Sequence, residues 1–173
     1  MTKEEKVKKY IEKNNLTEQV EINIYEFSFV INRTPENYVR ERKGKGNHFY
    51  NPKEEKMREY KIECLKQLTK EQKETINNVI KSGNHYEVSI TATYYYPIPK
   101  GTSIKASALM EEGIISPTIR IDLDNYDKFL LDSLHDVVYD DDKHVVGINS
   151  RKAYSLSPKT IVRIYFKEIK IVK

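Results

Sequence analysis

The sequence of 173 residues has no tryptophan, one cysteine, six glycines and six prolines. A single cysteine excludes an internal disulfide framework, so we expect Cys64 to be a small apolar helix residue in a reducing compartment. No apolar run approaches the ~20 residues of a membrane-spanning helix. The charged start MTKEEKVKKYIEKNN lacks the apolar core of a signal peptide. These absences favour a cytoplasmic protein with no membrane partner.

Several common catalytic and ligand-binding motifs are also missing. No glycine-rich phosphate loop and no Ser/His/Asp arrangement is present, and the histidines lack metal-binding spacing among themselves (His48, His85, His135 and His144). The D-x-D-N-x-D pattern that begins at Asp122 suggests an EF-hand. It fails because Asp127 stands where that loop needs glycine, and Ser133 where it needs the bidentate glutamate.

Aspartate is absent outside one short stretch, RIDLDNYDKFLLDSLHDVVYDDDKHV (120–145), which contains all eight aspartates of the chain. This stretch has three basic and eight acidic residues, a net charge of −5, and the remainder has 27 basic and 18 acidic residues, a net charge of +9. A basic body with one acidic spot is expected where a polyanion is held beside metal ions. The alternative is a solvated surface with an acidic loop.

The pattern of apolar residues predicts the α+β class: a small mixed sheet packed with helices, and an extra charged helix at the N-terminus. Strands are predicted over 20–31, 86–96, 118–123, 144–148 and 160–172. Helices are predicted over 3–14, 52–83 (one long or two short), 104–112 and 124–138, with a loop or hairpin over 33–52. Residues 1–19 are predicted to form a helical extension, and 20–173 the main domain.

The spacing of the aspartates predicts a site for a hard divalent cation. On a strand, Asp122 and Asp124 would share a face about 7 Å apart, and a helix beginning at Asp124 would place Lys128 and Asp132 on the same side. A returning strand would bring Asp141 or Asp142 beside Asp122, and such carboxylates suit Mg²⁺. Competing roles are a helix cap for Asp124, an ion pair with Lys128 for Asp132, and solvated surface for Asp127 and Asp136.

The segment DLDNYDKFLLDSLHDVVYDDDKHVV (122–146) closely resembles the signature of the RusA-type Holliday junction resolvases, D-x-D-N-x-x-K-x-x-x-D-x-L followed by Asp-Asp and a short strand. Upstream, YYYPIPKGTS (94–103) and FYNPKEEKMREY (49–60) resemble the family's preceding segments less specifically. The similarity spans about 20 to 172. It implies a RusA-like fold and a homodimer that cuts two strands of a four-way DNA junction with Mg²⁺.

Carried over by position, the resemblance implies roles for individual residues. Asp122, Asp124 and Asp142 would hold Mg²⁺ (or Mn²⁺), with Asp141 a further candidate ligand. Lys128 would be the essential lysine, stabilising charge on the phosphate or leaving group. Water would attack the phosphate in line, leaving 5′-phosphate and 3′-hydroxyl ends. Basic residues of the loop and of the segment before Asp122 are the predicted DNA contacts: Arg40, Arg42, Lys43, Lys45 and Arg120.

Two other hypotheses stay open at the level of sequence. One is a non-catalytic DNA-binding protein of a phage or mobile element, against which the intact aspartates and lysine argue. The other is a cation-binding protein without a nucleic-acid role, against which the basic remainder argues. The leading hypothesis is a structure-selective endodeoxyribonuclease acting on branched DNA in the cytoplasm of a bacterial or phage-infected cell, where it would associate with the nucleoid.

Overall fold

A four-stranded mixed sheet with helices on one face forms the body of the protein. The computed structural model describes residues 1–46 and 49–172, so Asn47 and His48 of the predicted loop lie outside the described residues. The helices are α1 (Lys3–Lys13), α2 (Glu54–Gln67), α3 (Lys70–Ser82), α4 (Ile104–Glu111) and α5 (Leu123–Leu134). The strands are β1 (Val20–Ile31), β2 (Arg42–Lys43), β3 (Phe49–Tyr50), β4 (His85–Pro97), β5 (Val145–Ser155) and β6 (Lys159–Ile171). The predicted α+β class is confirmed.

The strand order is β1-β6-β4-β5, with β2 and β3 pairing separately as a short hairpin. Strand β6 runs antiparallel to both of its neighbours, whereas β4 and β5 are parallel. Parallel neighbours need a crossover connection, and the chain between β4 and β5 supplies it with α4 and α5. Helix α5 consequently packs against β5 and against α2.

Alternation along the strands divides the sheet into two unlike faces. The buried side chains of β4 point towards the helices: Tyr86, Val88, Ile90, Ala92, Tyr94 and Tyr96. Among the described residues the opposite face is free of helices along β1 and β6, where Ile22, Ile24 and Tyr165 are 50%, 67% and 41% exposed. Cys64 is buried on α2, where burial raises the pKa of its thiol to about 12, as expected of an inert core cysteine.

Two predicted boundaries change, and one open alternative is decided. Of the two possibilities for 52–83, the one with two short helices is confirmed, because Thr69 forms a capping box with Gln72 that starts α3. Helix α5 ends at Leu134 rather than near 138, since Asp136 adopts a left-handed φ of 63° that a helix cannot continue. The predicted strand 144–148 extends to Ser155.

Helix α1 lies outside this packing. Thr2 and Glu5 form a capping box at its start, but none of its residues is buried. Its side-chain link to the next segment is the Tyr10 hydroxyl, which donates to Gln19 Oε1 at 3.0 Å. Its separation as a distinct domain stays a prediction. Within the described residues no helix is long and apolar enough to cross a membrane.

Candidate metal and nucleic-acid site

The start of α5 carries the first two predicted ligands. Asp122 occupies the N-cap position with extended backbone (φ −70°, ψ 148°), yet its side chain makes no capping hydrogen bond. Asp124 lies in the first turn, so the prediction that Asp124 caps the helix is wrong. Both carboxylates are exposed at the positive end of the helix dipole, which favours negative charge.

The segment before Asp122 is a loop, and the predicted strand over 118–123 is wrong. A strand needs a neighbour for its backbone groups. Here the Lys152 ammonium, and not a neighbouring strand, is the hydrogen-bond donor to these backbone carbonyls. It donates to Ile121 O at 3.1 Å and to Ile119 O at 3.5 Å. Strand β5 thereby fixes the position of the loop that leads to Asp122. Because this segment is not a strand, Asp122 and Asp124 do not share one strand face as predicted.

Lys128 lies one turn after Asp124, and its position depends on a residue that the sequence did not single out. The Nζ atom of Lys128 is 3.8 Å from the centroid of the Tyr38 ring, within the range of a cation–π contact. The backbone N–H of Tyr38 donates to Asn125 O at 2.7 Å, which fixes this segment on the first turn of α5. No local pattern around Tyr38 signals either contact.

Asp127 anchors α5 to the sheet and is not the solvated residue that was predicted. Its carboxylate accepts from the Tyr94 hydroxyl at 2.8 Å on β4 and from Ser150 Oγ at 2.7 Å on β5. Burial, reinforced by the charge of Asp127, raises the pKa of Tyr94, so this hydroxyl stays a donor. Asp136 is exposed, as predicted, but it lies beyond the end of α5, where its carboxylate pairs with His135 Nδ1 at 3.0 Å.

Asp132 connects the helix to the returning chain. It is partly buried, and burial raises the pKa of its carboxyl; the negative charge of Asp142 also raises it, while Lys128 lowers it. The returning segment therefore comes back within electrostatic reach of α5. Within the described ranges Asp132 and Lys128 form no ion pair, because Lys128 contacts Tyr38 instead. The predicted pairing of these two residues is wrong.

The three aspartates before β5 have three different environments. Asp140 accepts a short hydrogen bond from the Tyr86 hydroxyl and lies 3.6 Å from His144 Nε2. Asp141 caps a 3-10 helix (Asp142–His144): it accepts from the Lys143 N–H at 3.0 Å and contacts Lys143 Nζ at 2.9 Å. Asp142 is exposed.

Four carboxylates of the acidic segment have no basic, hydroxyl or backbone donor among the described residues: Asp122, Asp124, Asp132 and Asp142. Three of them are predicted ligands, and the fourth, Asp132, is partly buried. Asp142 also lies within hydrogen-bonding reach of the Asp141 carboxyl. The described residues, 1–46 and 49–172, contain no group of three or more Asp, Glu, His or Cys residues close enough together to hold a metal ion. Mg²⁺ typically uses one or two carboxylates and completes its shell with water and substrate phosphate. The donor chemistry fits Mg²⁺, and the ligand assignment stays a prediction.

The predicted DNA contacts lie on two exposed segments of the chain. Arg40 follows Tyr38 by two residues, so it lies near the chain segment that contacts Lys128. Arg120 is exposed in the loop that leads to Asp122. The remaining three candidates are exposed residues of the hairpin loop: Arg42, Lys43 and Lys45. Their part in binding DNA stays a prediction.

Carboxylates without protein donors, beside a lysine and within a basic chain, define a candidate site for phosphate chemistry. A family model for the endodeoxyribonuclease RusA matches residues 29–165, and the chain belongs to this family. It is also 38% identical over 79 residues to the uncharacterized protein YqaN of Bacillus subtilis (strain 168). That match spans 44% of this chain and 56% of YqaN.

Proposed function

We propose that this protein is a Mg²⁺-dependent, structure-selective endodeoxyribonuclease that resolves four-way junctions or other branched DNA by paired phosphodiester hydrolysis. The observation that supports it is the contrast within one acidic segment. Asp127, Asp136, Asp140 and Asp141 are bonded to protein donors, whereas Asp122, Asp124, Asp132 and Asp142 have none among the described residues. Of these four, Asp122, Asp124 and Asp142 are exposed and Asp132 is partly buried. Partnerless carboxylates repel one another unless a cation lies between them.

The three exposed carboxylates, Asp122, Asp124 and Asp142, would hold Mg²⁺ or Mn²⁺, and Asp141 is a further candidate whose present partner, Lys143, is exposed. A divalent ion bound there supplies stabilisation of phosphoryl charge and activation of water. Lys128 supplies a compact positive charge for the phosphate or the leaving oxygen. Tyr38 orients Lys128 towards that position and, by covering one side of the ammonium, limits its freedom.

DNA would be held by the exposed basic residues of two segments. Arg40, Arg42, Lys43 and Lys45 belong to the hairpin loop, and Arg120 precedes Asp122. They would bind backbone phosphates, so they position the substrate and carry no sequence information by themselves. The action would take place on DNA in the cytoplasm of a bacterial or phage-infected cell.

Paired cutting requires two sites, and we propose a homodimer with two-fold symmetry. The face of the sheet without helices offers an apolar surface on β1 and β6, formed by Ile22, Ile24, Val30 and Tyr165. Strand β1 is also an edge strand with an unpaired side. Burying either between subunits leaves α5 accessible on the other side of each sheet.

The test is a labelled four-way junction incubated with and without Mg²⁺. Wild type should cut, whereas Asp122→Asn and Asp142→Asn should not cut but should bind the junction as well or better, because each removes a negative charge facing phosphate. Asp136→Asn is the matched control, since Asp136 is exposed but pairs with His135 outside the proposed ligand set. If wild type binds the junction but does not cut it, the protein is a non-catalytic DNA-binding protein. If it neither binds nor cuts the junction, it is a cation-binding protein.

A further inference from the structure

On the sheet face without helices, an open groove of about 430 Å³ lies between β4, β5 and β6, away from the acidic site. Its polar lining consists of Thr91 and Thr93 on β4, Asn149 and Arg151 on β5, and Arg163 on β6. No acidic residue lines it among the residues that the structure describes. The groove therefore presents hydrogen-bond donors and positive charge without a compensating carboxylate.

The register of the sheet brings the two arginines to opposite sides of the groove. Thr91 pairs with Arg163 on one side and with Asn149 on the other, while Thr93 pairs with Arg151. Strands β5 and β6 flank β4, so the two arginines approach from strands about 10 Å apart. Arg151 Nε donates to Thr93 Oγ1 at 3.3 Å, which steadies the guanidinium and leaves its two terminal nitrogens for a ligand.

Both guanidinium groups are exposed, and neither forms an ion pair with any carboxylate in the described ranges. A third cation lies at one end of the groove, where Lys159 Nζ is 5.6 Å from the centroid of the Tyr95 ring. Arginine forks bind phosphate oxygens through paired N–H groups, and threonine hydroxyls and asparagine amides are common additional donors to phosphate. The lining thus complements a phosphodiester backbone.

Edge strand β5 joins this groove to the acidic site. Ser150 and Lys152 point to the helix side, where they bind Asp127 and the loop before Asp122. Asn149 and Arg151 alternate with them and point into the groove. The acidic site and the groove therefore lie on opposite faces of the same edge strand.

We propose that this groove is a second nucleic-acid contact, in which Arg151 and Arg163 bind the phosphate backbone of one arm of the substrate. The inference rests on the proposed function and adds a surface on the opposite face of the sheet from the acidic site. A two-fold partner could still cover the neighbouring apolar half of the face on β1 and β6 and leave the groove accessible.

The test compares an Arg151→Gln/Arg163→Gln variant with a Lys66→Gln/Lys81→Gln control. The control removes the same charge from exposed positions on α2 and α3, which cover the other face of the sheet. In EDTA, affinity for a four-way junction in 0.1 M salt should fall on the order of 50-fold for the arginine variant, and the slope of log affinity against log salt should become shallower by about 1.8. The control should bind like wild type.

Single-turnover cutting at saturating protein should be unchanged by the arginine substitutions, because neither arginine lies at the acidic site. Phenylglyoxal should modify both arginines in the free protein, and junction DNA should protect them. If the arginine variant binds the junction as tightly as wild type, or if DNA does not protect the arginines from phenylglyoxal, the groove is not a DNA contact. The proposed nuclease activity is unaffected by either result. An arginine variant that becomes monomeric by light scattering also overturns the groove as a DNA contact, since the groove is then a contact between subunits. A wild-type protein that binds the junction but never cuts it contradicts the proposed nuclease activity and leaves the groove as a DNA contact.

Discussion

The ammonium of Lys128 lies over the ring of Tyr38, 3.8 Å from its centroid, so a loop from the first third of the chain positions the lysine of the acidic segment. The loop is itself tied to α5 by the 2.7 Å bond from the Tyr38 N–H to Asn125 O. Because that bond uses the backbone, substitutions of the Tyr38 side chain probe the cation–π contact separately from the attachment of the loop.

Tyr38→Leu should lower the single-turnover cutting rate about threefold, because a cation–π contact at a partly exposed site is worth about 0.5–1 kcal/mol. Tyr38→Phe keeps the ring and should cut nearly as wild type. Junction affinity in EDTA should stay the same for both variants. Equal loss in the leucine and phenylalanine variants would show that the hydroxyl, and not the ring face, matters.

The second prediction concerns the turn that carries Asp142. Tyr86 holds this turn on both sides of Asp142: its hydroxyl donates to Asp140, and its ring stacks on His144 with centroids 3.8 Å apart. Burial raises the pKa of Tyr86, so the hydroxyl remains protonated and keeps donating. Tyr86→Phe should lower stability by about 1 kcal/mol. It should also raise the Mg²⁺ concentration needed for half-maximal cutting, because Asp142 is then less well positioned.

Asp140→Asn is the companion variant, since it keeps a hydrogen-bond acceptor for Tyr86. It should bind Mg²⁺ more nearly like wild type than Tyr86→Phe does. A Tyr86→Phe protein with lower thermal stability but an unchanged Mg²⁺ requirement would make Tyr86 a purely structural residue.

The third prediction is a pH dependence at Asp132. Burial, with a contribution from the charge of Asp142, raises the folded-state pKa of Asp132, so its charged form is less stable in the folded protein than in the unfolded chain. The penalty is absent below the unfolded pKa and grows until the pH passes the folded pKa. Asp132→Asn should therefore melt higher than wild type at pH 7 in EDTA, and the difference should shrink as the pH is lowered towards 4.

Thermal melts of wild type and Asp132→Asn between pH 7 and pH 4 show whether the difference in melting temperature has the expected sign and shrinks at low pH. Asp136→Asn is the control, because a hydrogen bond to His135 lowers the pKa of Asp136. Removing the Asp136 charge should therefore lower the melting temperature of the protein at neutral pH. A melting difference for Asp132→Asn that does not vary with pH would contradict the pKa direction.

The local spacing of Asp122, Asp124, Lys128 and Asp142 predicts a segment for the candidate site, and that assignment stays a prediction. What the spacing could not provide was each residue's partners, since these come from distant strands. Asp127 has the spacing of a solvated helix residue, but its acceptor atoms are reached by Tyr94 and Ser150 from the sheet. Periodicity gives the face of a helix and carries no information about a hydroxyl that arrives from another strand.

The alternation in TIRIDL shows the same limit for strands. Period-2 alternation predicts a strand only if a neighbouring strand is free to pair with it. At this position Lys152 of β5 turns its side chain to the carbonyl of Ile121, so a single ammonium replaces part of a hydrogen-bond ladder. Tyr38 and Tyr86 were missed for a related reason, because their contacts join segments far apart in sequence.

The fourth prediction tests the hairpin loop as a DNA contact. Replacing Arg40, Arg42, Lys43 and Lys45 with alanine should make the slope of log affinity against log salt shallower, by about 0.9 for each DNA phosphate that the loop neutralises in the wild type. The measurement is junction binding in EDTA over a range of salt. Lys3, Lys6, Lys8 and Lys9 of α1 form the matched set of four exposed cations. If the α1 set alters the slope and the loop set does not, the N-terminal helix is the DNA contact.

The last prediction concerns assembly. Resolving a junction needs two nicks on strands related by a two-fold axis, and one chain has one acidic segment. Light scattering at micromolar concentration should give about twice the chain mass of 20.4 kDa. Ile24 is 67% exposed on the apolar part of the sheet, so Ile24→Glu should place a charge in the interface and produce monomers.

Ile104→Glu is the control, because Ile104 is 90% exposed on α4, which packs against β5 at the other edge of the sheet from β1. It should remain a dimer and resolve junctions as wild type does. The Ile24→Glu monomer should retain an intact acidic site, since that site lies on the opposite face of the sheet, and should therefore nick single strands without coordinated second cuts. A wild-type monomer that cuts both strands of a junction in one binding event would rule out the two-site arrangement, because no second acidic segment would be present to make the other nick.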